Sequence, residues 1–131
     1  MTTKVYPGRL VFVGHYGAYT DDIVYYSDDG GATFNVSSTP LPKMDEAVIA
    51  ELDNGTLLLN MRNDHVNACA CRGISSSQDG GATWSPVTFD PVLIEPVCEA
   101  SLVNIGGALY FSNPASTTTR ANMTVRRTDV G

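Results

Sequence analysis

The sequence predicts an all-β fold, and three observations lead to that prediction. Short segments rich in β-branched and aromatic residues recur along the chain, separated by clusters of Gly, Asp and Asn. The dipeptide Asn54-Gly55 joins two of these segments and is a strong signal for a tight β-hairpin. One eight-residue stretch also occurs twice, as SDDGGATF at 27–34 and SQDGGATW at 77–84, 50 positions apart. A recurrence at this period indicates a repeat architecture.

The predicted strands follow the same order around each copy of this turn. Before the second copy we predict strands at 46–52, 56–63 and 69–77, and before the first copy at 9–15 and 22–27. Two strands joined by Gly-Gly follow at 99–113, and the segment 120–131 ends in what resembles the start of a third copy, with Arg127, Asp129 and Gly131. A unit of about four short strands with one stereotyped turn is typical of a β-propeller blade.

The length of the chain bears on how many blades it holds. Its 131 residues correspond to about 2.6 units, with blade parts at 9–35, 46–85 and 99–131. Because a propeller closes on itself to remove its edges, we expect one incomplete propeller domain, 1–131, that is a fragment of a longer chain. The alternative is a self-contained β-sandwich in which the two turns coincide by chance.

The repeated turn is predicted to be structural. Its aspartate carries a short carboxylate that accepts backbone N–H groups, its glycines allow positive φ, and its final aromatic residue is expected to pack between sheets. We expect no catalytic role for either aspartate. The predicted structural residues are Ser27, Asp29, Gly31, Thr33 and Phe34 in the first copy and Ser77, Asp79, Gly81, Thr83 and Trp84 in the second.

The composition excludes some partners. With 8 Lys and Arg against 14 Asp and Glu, the formal net charge is −6, which argues against nucleic acid or an anionic membrane as a partner. We see no window apolar enough for a transmembrane segment, no apolar leader after the first residues, and no pattern that calls for a metal or another cofactor.

The cysteines and histidines have predicted roles of their own. Because residues two apart lie on the same face of a strand, we expect buried or long-range roles for Cys69 and Cys71 rather than a bond between them. We interpret His15 and His65 as loop or strand-end residues that do not contact substrate.

Candidate functional residues lie between the turns. Glu46 opens a predicted strand and Arg62 ends the next one, 16 positions later. Because the two strands of a hairpin are antiparallel, both residues return to the same end of the blade. Arg120 follows a strand of the third unit at the corresponding end. Two arginines there could bind an anionic ligand that the net charge of the chain would otherwise repel.

Several segments carry a resemblance to a known family. The turn S-x-D-G-G-x-T-[FW] resembles the Asp box of sialidases and other propellers, and Phe34 stands where the box usually has Trp. Together with DEAVIAELDNGTLLLNMRN, CACR, VTFDP and FSNPASTTTRANMTVR, the turns resemble the middle of an exo-α-sialidase, most closely the lysosomal (sialidase-1) type. The resemblance implies a six-bladed β-propeller that hydrolyses terminal α-linked sialic acids from glycoconjugates with retention.

The resemblance also implies roles for the candidate residues. Glu46 matches the base that accepts a proton from a nucleophilic tyrosine, and Arg62 and Arg120 match two of three arginines that hold the sialic acid carboxylate. The tyrosine is expected after Gly131, and the first arginine and the Asp acid before Met1, so we expect the fragment alone to be inactive. The alternatives left open are a non-catalytic Asp-box propeller, such as a sorting receptor, and a sialidase relative that binds sialoglycans without cleaving them.

Three N-x-[ST] sequons provide possible glycosylation sites at Asn35, Asn54 and Asn122. They act as acceptors only in the secretory pathway. Together with the resemblance to the lysosomal sialidase type, the sequons favour a lysosomal or secretory location. The same resemblance is the only ground for expecting lysosomal partner proteins. Sialylated glycans are the expected binding partners.

Overall fold

The computed structural model describes residues 3–17, 21–39, 41–63 and 69–130. Within these ranges the chain forms strands and turns without any helix, so no described helix is available to span a membrane. The strands form three antiparallel sheets rather than the two of a sandwich, which confirms the all-β prediction.

Each sheet is built from strands that are consecutive in the chain. The first sheet contains β1 (Leu10–Tyr16), β2 (Asp21–Ser27), β3 (Asn35–Val36) and β4 (Leu41–Pro42). The second contains β5 (Met44–Glu51), β6 (Leu57–Asn63), β7 (Cys71–Ser77) and β8 (Thr88–Ile94). The third contains β9 (Ser101–Ile105), β10 (Ala108–Pro114) and β11 (Met123–Asp129).

The order of strands within the sheets is that of successive hairpins. In the first sheet β2 pairs with β1 on one side and with β3 and β4 on the other. The second sheet runs β5-β6-β7-β8 and the third β9-β10-β11. Apart from β4, which pairs with β2, each strand lies beside its neighbour in sequence, so each sheet is a compact unit of the kind that stacks side by side.

Two apolar clusters hold the sheets together. On β6, side chains alternate between the two faces, so Leu57, Leu59 and Met61 enter the first cluster while Leu58 packs against the second. The first cluster joins the first two sheets and the second joins the second and third. The buried members of the first are Val11, Val24, Leu41, Met44, Leu57, Leu59, Met61 and Trp84, and those of the second are Ala50, Leu102, Leu109 and Phe111.

The strands give the molecule two distinct ends. The repeated turns at 27–34 and 77–84 follow β2 and β7 at one end, which we call the turn end. At the opposite end β5 and β7 begin and β6 ends, and we call this the site end. His15, one residue before the end of β1, lies 3.7 Å from Asp45 of β5 and so belongs to the site end as well.

The two copies of the turn have nearly identical hydrogen bonds. In the first, the Ser27 hydroxyl donates to Asp29 Oδ1 (2.8 Å), and Asp29 accepts the Thr33 N–H (2.9 Å) and the Thr33 hydroxyl (2.6 Å). In the second, the equivalent distances for Ser77, Asp79 and Thr83 are 2.8, 2.9 and 2.6 Å. The bonds from Thr33, followed by that from Ser27, lower the pKa of Asp29 to about 2.

Arg9 fastens the turn end across the two units. Its guanidinium pairs with Asp28 (2.6 Å), lies 4.3 Å from the ring centres of Tyr6 and Tyr26, and donates to the Asp79 carbonyl (3.1 Å). One side chain therefore joins the first turn to the second.

The aromatic residues that end the two turns differ in environment. Trp84 is 6% exposed within the first apolar cluster, and its indole donates to the Gly81 carbonyl (3.2 Å). Phe34 is 52% exposed and makes an edge-to-face contact with Phe12, which is itself exposed. The expectation that both aromatics pack between sheets is therefore wrong for Phe34. Among the described residues, only Trp84 has a second sheet to pack against.

The structure overturns one cysteine prediction. Cys69 and Cys71 form a disulfide with their Cα atoms 5.2 Å apart, and Cys98 is free. The prediction assumed that both cysteines lie on a strand, whereas β7 begins only at Cys71 and the intervening Ala70 has φ of 45°. The backbone therefore bends between the two residues and brings their side chains together.

The segment that resembled a third turn is also different. Arg127 and Asp129 lie in β11 and pair with each other, so the strand continues where the pattern predicted a turn. Gly131 lies outside the described residues.

Candidate functional site

A β-bulge places Glu46 at the site end. Asp45 lies opposite Arg62 and Ala47 opposite Met61, so Glu46 is an extra residue on β5. A bulge bends its strand and redirects side chains. As a result, consecutive acidic residues have different environments: Asp45 is fully buried, while the Glu46 side chain is 35% exposed.

Arg62 lies between these two carboxylates. Its NH1 group is 2.7 Å from Glu46 Oε2 and 3.1 Å from Asp45 Oδ2. Asp45 Oδ1 accepts the Glu46 backbone N–H (2.7 Å) and lies 3.7 Å from His15 Nδ1. The structure therefore brings together Glu46 and Arg62, and it adds Asp45 and His15 to their surroundings.

An open cavity of about 610 Å³ lies beside Glu46. The ends of β1, β5 and β9 form its walls, and the polar side chains lining it are His15, Glu46, Glu99 and Ser101. Such a cavity could take a polar ligand in contact with Glu46. His15 lines this cavity, while His65 lies outside the described residues.

Arg120 lies between β10 and β11, with an exposed side chain. Its NH2 group donates to the carbonyl of Val97 (3.2 Å), in the segment between β8 and β9. Asn113, at the end of β10, donates to the carbonyl of Ile94 (2.8 Å). These two bonds connect Arg120 and the last residues of β10 to the end of β8 and to the segment that follows it, at the site end.

The largest buried polar group at this end is one that the sequence analysis did not assign. Arg72 and Glu95 are both fully buried, and NH1 of Arg72 lies 2.5 Å from Glu95 Oε2. Arg72 Nε donates to Asn60 Oδ1 (2.7 Å), and NH1 donates to the Cys98 carbonyl (2.7 Å). Burial lowers the pKa of Arg72, and the charge of Glu95 opposes that change.

Asp22 is a further buried ionisable group at this end. It is 4% exposed, and neither carboxyl oxygen has a hydrogen-bond partner among the described residues. Burial, with a smaller contribution from the negative charge of Asp45, raises its pKa to about 7. Asp22 was predicted only as a strand residue. The sequence signal that would have indicated its burial is its position two residues before Val24, on the same face of β2.

Backbone strain is concentrated at the site end. Among the described residues, the non-glycine positions with positive φ are Lys43, Ala70, Val97 and Asn122, with φ of 58°, 45°, 53° and 57°. Each of them lies within a few residues of a strand end at the site end. Positions of this kind tend to occur at functional sites, where the surrounding structure holds them in place.

The described residues hold no group of three or more His, Cys, Asp or Glu side chains arranged to bind a metal ion. The contact between Glu46 and Arg62 places a carboxylate beside a guanidinium. A part-exposed carboxylate can accept a proton, and an arginine can hold an anionic group.

Comparison with known proteins gives a consistent picture, although no family model matches the chain. The chain is 35% identical over 133 residues to a sialidase of Micromonospora viridifaciens, an alignment that covers 91% of this chain and 20% of that protein. Among solved structures, the Hadza microbial sialidase Hz136 is 31% identical with a TM-score of 0.71, over 82% of this chain and 22% of that one. The NanB sialidase of Streptococcus pneumoniae is 23% identical with a TM-score of 0.81, over 100% of this chain and 20% of that one, and shows the fold.

The neighbours are sialidase β-propellers, which confirms the predicted blade architecture. The chain spans about a fifth of the length of the curated relatives it matches.

Proposed function

We propose that the whole protein is an exo-α-sialidase. The premise is that the curated and structural neighbours of this chain support the sialidase family. The whole protein hydrolyses terminal α-linked sialic acids from glycoproteins, glycolipids and oligosaccharides, and sialylated glycans are its binding partners. The observation that carries the proposal is the 2.7 Å contact between Glu46 and Arg62 beside an open cavity at one end of the blades.

In this proposal Glu46 is the general base. Sialidases use a tyrosine nucleophile, and a phenol with a pKa near 10 needs a base to attack at neutral pH. The bulge supports this role because it leaves the Glu46 carboxylate partly exposed while its neighbour Asp45 is buried. The tyrosine is expected outside residues 1–131, and the anomeric configuration is retained through a tyrosyl intermediate.

Arg62 and Arg120 hold the sialic acid carboxylate. A guanidinium fork matches a carboxylate in two parallel hydrogen bonds, each worth about 1.5 to 3 kcal/mol. Asp45 and Glu46 fix the orientation of Arg62, and the Val97 carbonyl does the same for Arg120. Fixing these side chains before binding reduces the conformational entropy that binding would otherwise cost.

The test is an assay of the whole protein with a fluorogenic sialoside. Glu46→Gln removes the base at constant size, and Arg62→Ala and Arg120→Ala each remove part of the carboxylate clamp. Each arginine change is expected to raise the barrier by several kcal/mol, or roughly 100-fold or more in kcat/KM. Arg127→Ala, at an exposed arginine of β11, is the matched control and keeps wild-type activity. Wild-type kcat/KM in Arg62→Ala or Arg120→Ala would refute the clamp.

Residues 1–131 alone are expected to be inactive, because the proposed nucleophile and acid are expected outside them. Turnover of the sialoside above the buffer rate by purified residues 1–131 would overturn that expectation.

A second candidate is a non-catalytic propeller that binds sialoglycans. The observation that favours it is the engagement of Arg62 by two carboxylates, which would compete with a substrate carboxylate. Binding of sialyllactose by the whole protein without turnover would support this candidate over the enzyme.

We also propose that the protein is glycosylated and lumenal, with lysosomal partners as the resemblance suggests. Asn35, Asn54 and Asn122 all have exposed side chains, as acceptor sites require. Expression of the whole protein in a secretory host should give a mass shift that peptide N-glycosidase removes. Absence of any shift would contradict glycosylation.

A further inference from the structure

The buried pair of Arg72 and Glu95 takes no part in the proposed chemistry. Both side chains are fully buried, and the pair joins the start of β7 to the residue after β8. Removing two charges from water offsets most of what their attraction gains, so a buried pair is weak evidence for stability. The presence of this buried pair therefore needs an explanation other than stability, and its contacts provide one.

The first contact reaches Glu46. NH2 of Arg72 lies 3.5 Å from the backbone carbonyl of Glu46, at the bulge. Because a bulged residue is left out of the regular ladder between strands, its position depends on contacts of this kind.

The second set of contacts reaches β6, which carries Arg62. Glu95 Oε1 accepts the backbone N–H of Asn63 at 2.6 Å, one residue after Arg62. Arg72 Nε donates to the side chain of Asn60 at 2.7 Å on the same strand. The pair thus binds β6 on both sides of Arg62 along the sequence.

The third contact reaches the segment that holds Arg120. NH1 of Arg72 donates to the carbonyl of Cys98 at 2.7 Å, and the preceding carbonyl, that of Val97, accepts from Arg120 at 3.2 Å. A single ion pair therefore contacts the backbone at Glu46, next to Arg62, and next to the group that holds Arg120.

We propose that Arg72 and Glu95 are positioning residues that set the spacing of Glu46, Arg62 and Arg120. Neither one touches substrate, and both act by fixing the backbone at these three points. The consequence for catalysis rests on the proposed sialidase function, but the geometric claim does not. A guanidinium suits this role because its planar fork reaches several acceptors at once, which a lysine ammonium on a flexible stem does not.

The test compares Arg72→Lys and Glu95→Gln with Arg127→Lys in the whole protein. Arg72→Lys keeps the charge but loses the fork, and Glu95→Gln keeps an acceptor for Asn63 but loses the charge. Arg127→Lys is the matched control, at an exposed arginine paired with Asp129. The measurements are the melting temperature, kcat and KM for a fluorogenic sialoside with their pH profile, and a crystal structure of each variant.

We expect Arg72→Lys and Glu95→Gln to fold, and kcat to fall by up to about 100-fold, the effect of misplacing reacting groups by about 1 Å. The acidic limb of the pH profile, which reports the base, should shift, whereas a merely structural role would change only the melting temperature. The crystal structures should show a lengthened contact between Glu46 and Arg62 and between Arg120 and Val97.

Several outcomes would overturn the proposal. Unchanged contacts at Glu46, Arg62 and Arg120 in a folded variant would do so whatever the substrate is. Wild-type kcat and pH profile in both folded variants would also do so. If neither variant folds while Arg127→Lys does, the pair serves folding rather than spacing, and the proposal is wrong. A wild-type protein that does not cleave sialosides refutes the proposed function alone, and the crystal structures still decide the positioning role.

Discussion

At both ends of the blades the chain returns from one strand to the next. The two ends differ in the contacts that hold the returning segments and in the residues that have positive φ. At the turn end, Asp29 and Asp79 are bonded to residues within four positions in sequence, and the positive φ values fall on glycines. At the site end, Arg72 is bonded to groups 12 to 26 positions away, and positive φ values fall on residues such as Lys43 and Val97.

The comparison shows that the bonds made by the aspartates of the repeated turn are local, whereas the contacts at the site end depend on the packed sheets. A turn that satisfies its own polar groups can recur unchanged, as the matching distances in its two copies show. Buried charges and strained backbone persist only where the surrounding structure holds them. We therefore expect substitutions at the site end to have larger and less local effects.

The largest effect on stability is expected from Arg72→Met. This change leaves the Glu95 carboxylate buried without its partner, which should lower the free energy of unfolding by about 3 to 5 kcal/mol. Urea unfolding of the whole protein measures the change. Arg127→Met, at an exposed pair, should leave the urea midpoint unchanged, and an equal loss in both variants would remove the contrast between buried and exposed pairs.

The next effect concerns pH and Asp22. Burial raises its pKa from 3.8 to about 7, so the folded state binds a proton that the unfolded state releases. That stabilisation is full below about pH 4 and is lost as pH rises to about 7, by about 1.4 kcal/mol per pH unit.

Asp22→Asn should remove this dependence. The variant should be close to wild type in stability at pH 4 and more stable than wild type at pH 8, as measured by urea unfolding at both values. Asp21→Asn, at a less buried neighbour, is the control and should keep most of the wild-type pH dependence, because the charge of Asp21 raises the pKa of Asp22 less than burial and Asp45 do. Parallel pH curves for wild type and Asp22→Asn would refute the assignment.

A smaller effect is expected at the turn end. Asp79→Ala removes the acceptor of bonds from Ser77 and Thr83, and should cost about 2 kcal/mol. Asp29→Ala should cost less, because its turn is the more exposed of the two. In either variant the kcat per folded molecule should stay at the wild-type value. A loss of kcat without a loss of stability would give the turn a catalytic role that we do not expect.

The contrast also explains what could be predicted from the sequence. The turns, the hairpins and the return of Glu46 and Arg62 to one end follow from local spacing, and the structure has them. The network around Arg72, Glu95 and Asp22 could not be predicted, because its contacts join residues of different strands whose registers are set by the packed sheets. The disulfide of Cys69 with Cys71 was missed because it depends on the φ of a single residue, Ala70.

The smallest expected change in stability tests the backbone strain at Val97. Val97 is β-branched with φ of 53°, a conformation that costs such a residue about 1 to 2 kcal/mol and glycine much less. Because glycine also gains freedom in the unfolded chain, Val97→Gly should raise the free energy of unfolding by no more than about 1 kcal/mol.

The matched control is Asn122→Gly, since asparagine tolerates the left-handed region at its φ of 57° and should gain less. The Val97 carbonyl accepts the bond from Arg120, so a more mobile residue 97 should also raise the KM of the whole protein for a sialoside. Urea unfolding and steady-state kinetics of the two variants provide the comparison. A loss of stability in Val97→Gly would show that packing of the valine side chain outweighs the backbone strain. The contrast between the site end and the turn end would then rest on buried charge and not on strain.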